Sequence, residues 1–439
     1  MKQLDEHLFP TRMVGGFVIC ALLLGMFTGC GKAPGGKESI STRDIPTTQT
    51  IGDATTYLIP RQIGAGFTGK PWVTHVLASD LNEDGLMDVI ACEGRDNIVV
   101  WLKQNAQHEF EEIVLASDMS APVHTEAVDI DEDGDLDLVI ASMGQVFPNN
   151  DKIGSIYILE NDGEEHFSRH LIVENIARVT DVRTGDFDGD GDLDLAVAQF
   201  GYDQGEVRWM RNLGDWKFES EILLGLSGAV NILVADFNGN GYLDMASIVS
   251  QQYEDLYLFE NQGNAVFTKK IIFGSTNEDY GSSGIALCDL NQDGRPDILY
   301  TNGDGFDYAK PGPRPWHGVQ WLENKGKGFF KYHYIGELAG AYSPSALDLD
   351  ADGDIDVIAV SGFNNWDDPS AVSMMWFRNE GNEVFRPQIL SHHPTHLLCT
   401  TVGDFDNDGI SSIVTGGFHA YPPYDYMSRI LLWERAEHE

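Results

Sequence analysis

Acidic and amide side chains recur in this chain at a spacing that suits a hard divalent cation. The nine residues from Asp186 place Asp186, Asp188, Asp190 and Asp194 at positions 1, 3, 5 and 9 of a frame with Gly191 at position 6. The frame returns as Asp80, Asn82, Asp84 and Asp88, then as Asp129, Asp131, Asp133 and Asp137, then as Asp236, Asn238, Asn240 and Asp244. It returns again as Asp289, Asn291, Asp293 and Asp297, as Asp348, Asp350, Asp352 and Asp356, and last as Asp404, Asp406 and Asp408. Calcium takes about six to eight oxygens, and alternate side chains of a tight loop supply most of them. Seven such loops predict several structural Ca²⁺ sites, up to seven.

The other loop positions agree. Position 6 is glycine in every copy, as a sharp turn requires. Position 7 is Leu86, Asp135, Asp192, Tyr242, Arg295, Asp354 or Ile410, which share no side-chain chemistry, so only the carbonyl can be a common ligand. Asp/Gly-rich turns arise for local hydrogen-bonding reasons too, but they need no acids at four fixed offsets. Two copies are poorer: the Asp236 loop has two carboxylates, and Ser412 replaces the last ninth-position acid. These two sites are expected to be the weakest.

The loops begin roughly 50 to 60 residues apart, a period of propeller blades or arrays. In the third unit, short runs at 182–186, 195–199, 206–211 and 217–224 predict four strands. An Asn-Gly turn at 212–218 joins the last two and is echoed at 161–167, 261–267, 324–330 and 379–385. The third strand carries Trp101, Trp209, Trp321, Trp376 or Trp433 in five units, a pattern that suits packing between blades better than a sugar platform. The last unit ends after three strands, so residues 55–63 are expected to supply the fourth and close the ring. The fold class is therefore all-β, a seven-bladed β-propeller of four-stranded antiparallel blades, ring closed by an N-terminal strand.

The D-x-D-x-D-G-x-x-D loop, the apolar strand after it and the Asn-x-Gly-to-Phe turn resemble FG-GAP/VCBS-type repeats from about residue 55 to 435. The resemblance implies a propeller like the integrin α-subunit head and certain calcium-dependent fungal lectins. The chain departs from the naming motif, because no Gly-Ala-Pro follows Phe200-Gly201.

The 439 residues carry a formal net charge of −41, which argues against nucleic acid or anionic membrane as an electrostatic partner. Residues 1–30 read as an export signal: an apolar run at 13–27 leads into Phe27-Thr28-Gly29-Cys30, which resembles a lipoprotein cleavage box. Cys30 would then be the lipidated first residue, residues 31–50 a flexible linker, and residues 51–439 the propeller. The expected location is extracytoplasmic, anchored to the membrane by lipid and facing periplasm or cell surface. Cys92, Cys288 and Cys399 lie in unrelated units and read as buried small hydrophobes.

In a four-stranded meander the Asp loops and Asn-Gly turns share one face, and the connections between strands 2 and 3 and between blades share the other. Long variable loops at 144–154, 302–318, 362–371 and 416–428 bring Tyr308, Trp316, His317, Trp366, His419, Tyr421 and Tyr424 to that second face. They suit a glycan or protein partner, or packing among the loops themselves. Five residues before each Asp loop stand His75, His124, Asp181, Asn231, Gly284, Ser343 and Cys399, which should ring the channel mouth. His396 lies near the last of these. His75, His124 and Asp181 could hold a transition metal, or with Arg178 and a loop tyrosine abstract a proton beside a uronate carboxylate. The chain has no G-x-S-x-G, CxxCH or P-loop motif. The main reading is a binding propeller; a polysaccharide lyase using His75, His124 and Arg178, or an envelope scaffold, is the alternative.

Overall fold

A computed structural model of the protein describes residues 57–436 except Gln252, Asp307 and Ala309. Cys30, the export signal, the 31–50 linker and residues 51–56 lie outside the described residues. Twenty-eight strands form seven four-stranded antiparallel sheets. In the third blade, β10 (Arg178–Gly185), β11 (Asp194–Phe200), β12 (Glu206–Asn212) and β13 (Phe218–Leu224) follow in simple order. The apolar second strand is buried along its whole length in every blade, including residues 194–199 of β11. That burial on both faces explains why these strands read as continuous apolar runs rather than as alternations.

The ring closes as the sequence requires. β1 (Leu58–Gln62) pairs antiparallel with β28 (Ile430–Arg435), from Leu58 opposite Arg435 to Gln62 opposite Leu431. It completes the sheet of β26 (Leu397–Gly403), β27 (Ser412–Gly417) and β28. The buried Arg429 guanidinium locks the joint, its Nε bonding Glu93 at 2.8 Å and its Nη1 bonding Glu112 at 2.6 Å.

The hydrophobic core is divided into seven clusters, one between each pair of adjacent blades. Trp101 and Ile90 of the first blade meet Leu138 and Leu159 of the second, and Ile430 and Leu432 of the last meet Val76 and Val89 of the first. Trp101, Trp321, Trp376 and Trp433 are buried in these clusters and Trp209 packs against one. The first strands of the seven blades face inward: β2 (Val73–Ser79), β6 (Pro122–Val128), β10, β14 (Ala229–Ala235), β18 (Ser282–Cys288), β22 (Ala341–Leu347) and β26. Cys92, Cys288 and Cys399 are free thiols, the first and last buried.

Candidate functional site

The Asp loops are held open by their own backbone. The first-position acid accepts N–H bonds from position 6 and from position 5, or position 4 in the Asp186 loop, as Asp129 does from Asp133 at 3.1 Å and Gly134 at 3.0 Å. Its geometry needs glycine, because φ at position 6 lies between 81 and 103° in all seven loops. Position 4 is also left-handed, with φ of 54° at Glu83 and 61° at Glu132, a conformation unfavourable for residues with a Cβ.

The ninth-position acid does more than line the loop. Asp137 is fully buried and accepts the Ile130 N–H at 3.2 Å on one oxygen and the Asn161 N–H at 2.8 Å on the other. It thereby ties the Asp loop to the turn between strands 3 and 4, and Asp88, Asp194, Asp244, Asp297 and Asp356 do the same in their blades. Burial lifts the Asp137 carboxyl to about 6, against the pull of these N–H donors. In the last blade Ser412 replaces the acid, and the Trp433 indole N–H turns to Thr415 at 2.9 Å. Position 2 was a missed signal: Leu81, Ile130, Phe187, Phe237, Leu290, Leu349 and Phe405 are all buried anchors.

Among the described residues, carboxylate oxygens gather within 4.8 Å of one another at Asp129, Asp131 and Asp137, at Asp186, Asp188 and Asp190, at Asp348, Asp350 and Asp356, and at Asp404, Asp406 and Asp408. Such sets of hard oxygens fit calcium. The Asp404 loop keeps three despite Ser412, whereas the Asp236 loop has turned its amides inward: Asn238 Nδ2 donates to both Asp244 oxygens, at 3.0 and 3.1 Å. In the third and sixth blades a guanidinium already lies on these carboxylates, Arg211 Nε 2.7 Å from Asp188 and Arg378 Nε 2.6 Å from Asp350. The second blade has Glu160 at the equivalent place and no such cation on its loop.

At the ring's centre a cavity of about 760 Å³ is lined by residues of all seven inner strands. Of the residues five before each Asp loop, six line this cavity and Asp181 lies just behind its wall; each inner strand carries a bulge at or just before them, as between Val73 and His75 or Val179 and Asp181. Bulges re-aim side chains, and no sequence pattern announced these. His75 and His124 rings lie 4.3 Å apart, His124 Nε2 is 3.2 Å from Asp181 Oδ1, and Arg183 Nε is 3.3 Å from that same oxygen.

Part of this constellation is structural. His75 Nδ1 accepts the Thr125 N–H at 3.3 Å, Asp181 Oδ2 accepts the Ile232 N–H at 3.1 Å, and Ser343 Oγ accepts the Thr400 N–H at 2.9 Å, each from the following blade. Burial and the Arg183 charge push His75 down to about 3 and His124 well below the usual imidazole range, so both rings are neutral near neutral pH. The three side chains do not offer one ligand atom each within 4.8 Å, so they form no metal cluster like those of the Asp loops. Arg178 is buried, with Nη1 directed at the Gln145, Val146 and Phe147 carbonyls and its guanidinium 4.9 Å from the Phe200 ring.

On the face away from the Asp loops, Phe147, Phe306, Phe363, Phe418 and Tyr421 pack edge to face with one another. His317, His396 and His419 are interior: His317 Nδ1 accepts the Gly340 N–H, His396 Nδ1 meets Thr395 Oγ1, and His419 Nε2 accepts the Ser428 N–H, each at 3.0 Å. Around them stand partly exposed rings, each braced by a polar or cationic contact or by another ring. Arg314 lies 3.9 Å over Tyr308, Lys70 lies 3.5 Å over Tyr424, and Trp316 Nε1 donates to the Asp279 carbonyl at 2.8 Å. Trp366 lies against His396, and Tyr426, 53% exposed, stacks on His393. Sequence reasoning had not singled out Arg183 or Glu126 for the site, and nothing in their local spacing marks them; Tyr426 belongs to the aromatic 416–428 loop that the sequence did point to.

FG-GAP-like repeat sequences match residues 80–140, 129–197, 186–247, 247–300 and 348–415, together more than half of the chain. No curated protein matches it. Among solved structures, BBS1N in complex with ARL6DN is similar at a TM-score of 0.51 and 11% identity, over 86% of this chain and 97% of that one. The Vibrio cholerae biofilm matrix protein Bap1 is similar at a TM-score of 0.45 and 12% identity, over 87% of this chain and 91% of that one. At such identities the likeness is one of fold.

Proposed function

Because the chain belongs to the FG-GAP-like repeat family, we propose that it is an exported, lipid-anchored binding propeller whose Asp loops take calcium as structural clips and whose opposite rim binds a glycan. The observation that carries this reading is the rim itself: Tyr308, Trp316, Trp366, Tyr424 and Tyr426 are partly exposed yet braced. Rings fixed before a ligand arrives lose little freedom on binding, and their flat apolar faces with polar edges suit sugar C–H surfaces. Calcium, when bound, neutralises the loop carboxylates; Asp129, Asp131 and Asp137 are best placed to hold it.

A protein partner on the same rim is the second reading. BBS1N is a propeller-fold neighbour solved with a protein partner, ARL6DN. A shared fold does not by itself carry a partner across. Export, the Cys30 anchor and an envelope location rest on the leader sequence, and incorporation of labelled palmitate, abolished by Cys30→Ser, tests them.

The functional test is a glycan array read for binding, with ultraviolet detection of unsaturated uronate products in parallel. Glycan binding without product supports the proposal. Product formation lost in His124→Ala would replace it with a lyase, and absence of any glycan binding would leave the rim to a protein partner, sought by cross-linking in the intact cell envelope.

A further inference from the structure

The central channel has a chemistry of its own, separate from the rim. Along the inner strands of the first four blades, His75, His124, Glu126, Arg183 and Asn231 face the cavity, and Asp181 lies just behind them. His124 and Asp181 are more than nine-tenths buried, at 3% and 0% exposure. Even so, both His124 nitrogens, Asp181 Oδ1, Arg183 Nε and the Asn231 side-chain oxygen Oδ1 lack a well-aligned hydrogen-bond partner. Close approaches exist, such as the 3.2 Å from His124 to Asp181, but their angles are poor. Buried polar atoms left this way cost stability unless water or a ligand completes them.

The same residues narrow what could complete them. A metal ion is disfavoured, because His75, His124 and Asp181 do not bring three ligand atoms within 4.8 Å. An apolar guest would leave the polar atoms unsatisfied. A strongly charged guest finds little free charge: Arg183 is paired with Asp181, burial raises the Glu126 carboxyl against the opposing pull of Arg183, and burial with the Arg183 charge keeps both imidazoles neutral. What remains is a wall of mixed donors and acceptors. His75 Nδ1 is an acceptor, so its Nε2 carries the proton, and Asn231 turns its amide nitrogen to Asp181 and leaves its oxygen available. Phe306 and Tyr342 supply ring surface elsewhere on the lining. The volume, about 760 Å³, lies within the ~300–1,000 Å³ of pockets that enclose small molecules.

We propose that the central channel is a binding site for a neutral, polyhydroxylated small molecule of monosaccharide to disaccharide size, held by His75, His124, Asn231 and the Arg183–Asp181 pair. Hydroxyl groups are donors and acceptors at once, which matches a wall of mixed buried donors and acceptors. The site does not depend on the rim reading: a sugar in the channel would touch none of Trp316, Trp366 or Tyr426.

Isothermal titration of the calcium-loaded propeller with glucose, galactose, trehalose and sucrose, and with glucuronate as the charged comparison, tests this. At least one neutral sugar should bind at one site per chain, more tightly than glucuronate. His124→Gln should weaken it by about tenfold or more, the loss expected when a buried hydrogen-bonding group is replaced. Val230→Phe, which fills lining volume and removes no polar group, should do likewise and covers the case in which the histidine variant fails to fold. Trp366→Ala with Tyr426→Ala should leave it unchanged. Failure of every neutral sugar to bind at millimolar concentration would mean that the channel holds only water, and preference for glucuronate would mean that its charge class is wrong. Binding lost in the rim variant but kept in both channel variants would move the site to the rim. Each of these results overturns the proposal.

Discussion

Glu254 shows how a single buried carboxyl sets a pH response. It accepts N–H and O–H bonds from Ser282 and, above all by burial, is raised to about 7. The folded state therefore keeps a proton that an unfolded glutamate, with its usual value near ~4.3, gives up. Its contribution to stability is full below pH ~4.3 and declines as pH rises through the interval up to about 7. Glu254→Gln should flatten the fall in melting temperature across that window, and a slope identical to wild type would refute the assignment. The loops differ at the same scale. Asp131→Asn should remove a bound calcium by native mass spectrometry, whereas Asn238→Ala should remove none, because the Asn238 amide already occupies the Asp244 carboxylate. The Asp-loop frame was legible in the sequence because its residue types recur at fixed offsets from copy to copy. The second duty of the ninth acid was not, since its N–H partners at Gln104, Asn161 or Asn212 lie in another turn and carry no side-chain signature.

At the scale of elements, ring closure depends on β1. Its five residues pair with β28, Arg61 reaches Glu434 at 3.2 Å, and Arg429 ties the last blade to Glu93 and Glu112 of the first. Arg429→Met leaves two carboxylates, one of them buried, without their cation, a change that costs about 3–5 kcal/mol for buried pairs. Chemical denaturation should show a lower midpoint of that order, and deletion of residues 51–63 should destabilise the entire ring. Full stability in either case would contradict closure through this joint. The closing strand could be anticipated by counting, since a blade short by one strand needs its partner from the other terminus. The bulges could not: the residue types before them, Thr74, Val123, Thr180 and Ser283, have in common only that they fit a strand. Those bulges aim His75 and His124 into the channel with Asp181 just behind, whereas the sequence placed the three only at its mouth.

Over the whole molecule, seven apolar wedges hold the blades together in a chain whose full sequence has a formal net charge of −41. Loop carboxylates crowd one face, and cations that bind only the folded form stabilise it by mass action. Chelation should therefore lower the melting temperature by on the order of 10 °C, given several sites of a few kcal/mol each. An unchanged value, with metal loss verified, would remove calcium from the account. The opposite face is where the repeats cease to resemble one another, and there the sequence pointed to aromatic loops but did not separate the rings that pack inward, such as Phe363, from those that remain at the surface, such as Tyr426. The most direct test of that division of labour is the glycan array repeated with a rim variant, Trp366→Ala with Tyr426→Ala, and a loop variant, Asp188→Asn with Asp190→Asn. The rim variant should lose the glycans bound by wild type while the loop variant, in calcium, keeps them; glycans retained by the rim variant and lost by the loop variant would reverse the roles of the two faces.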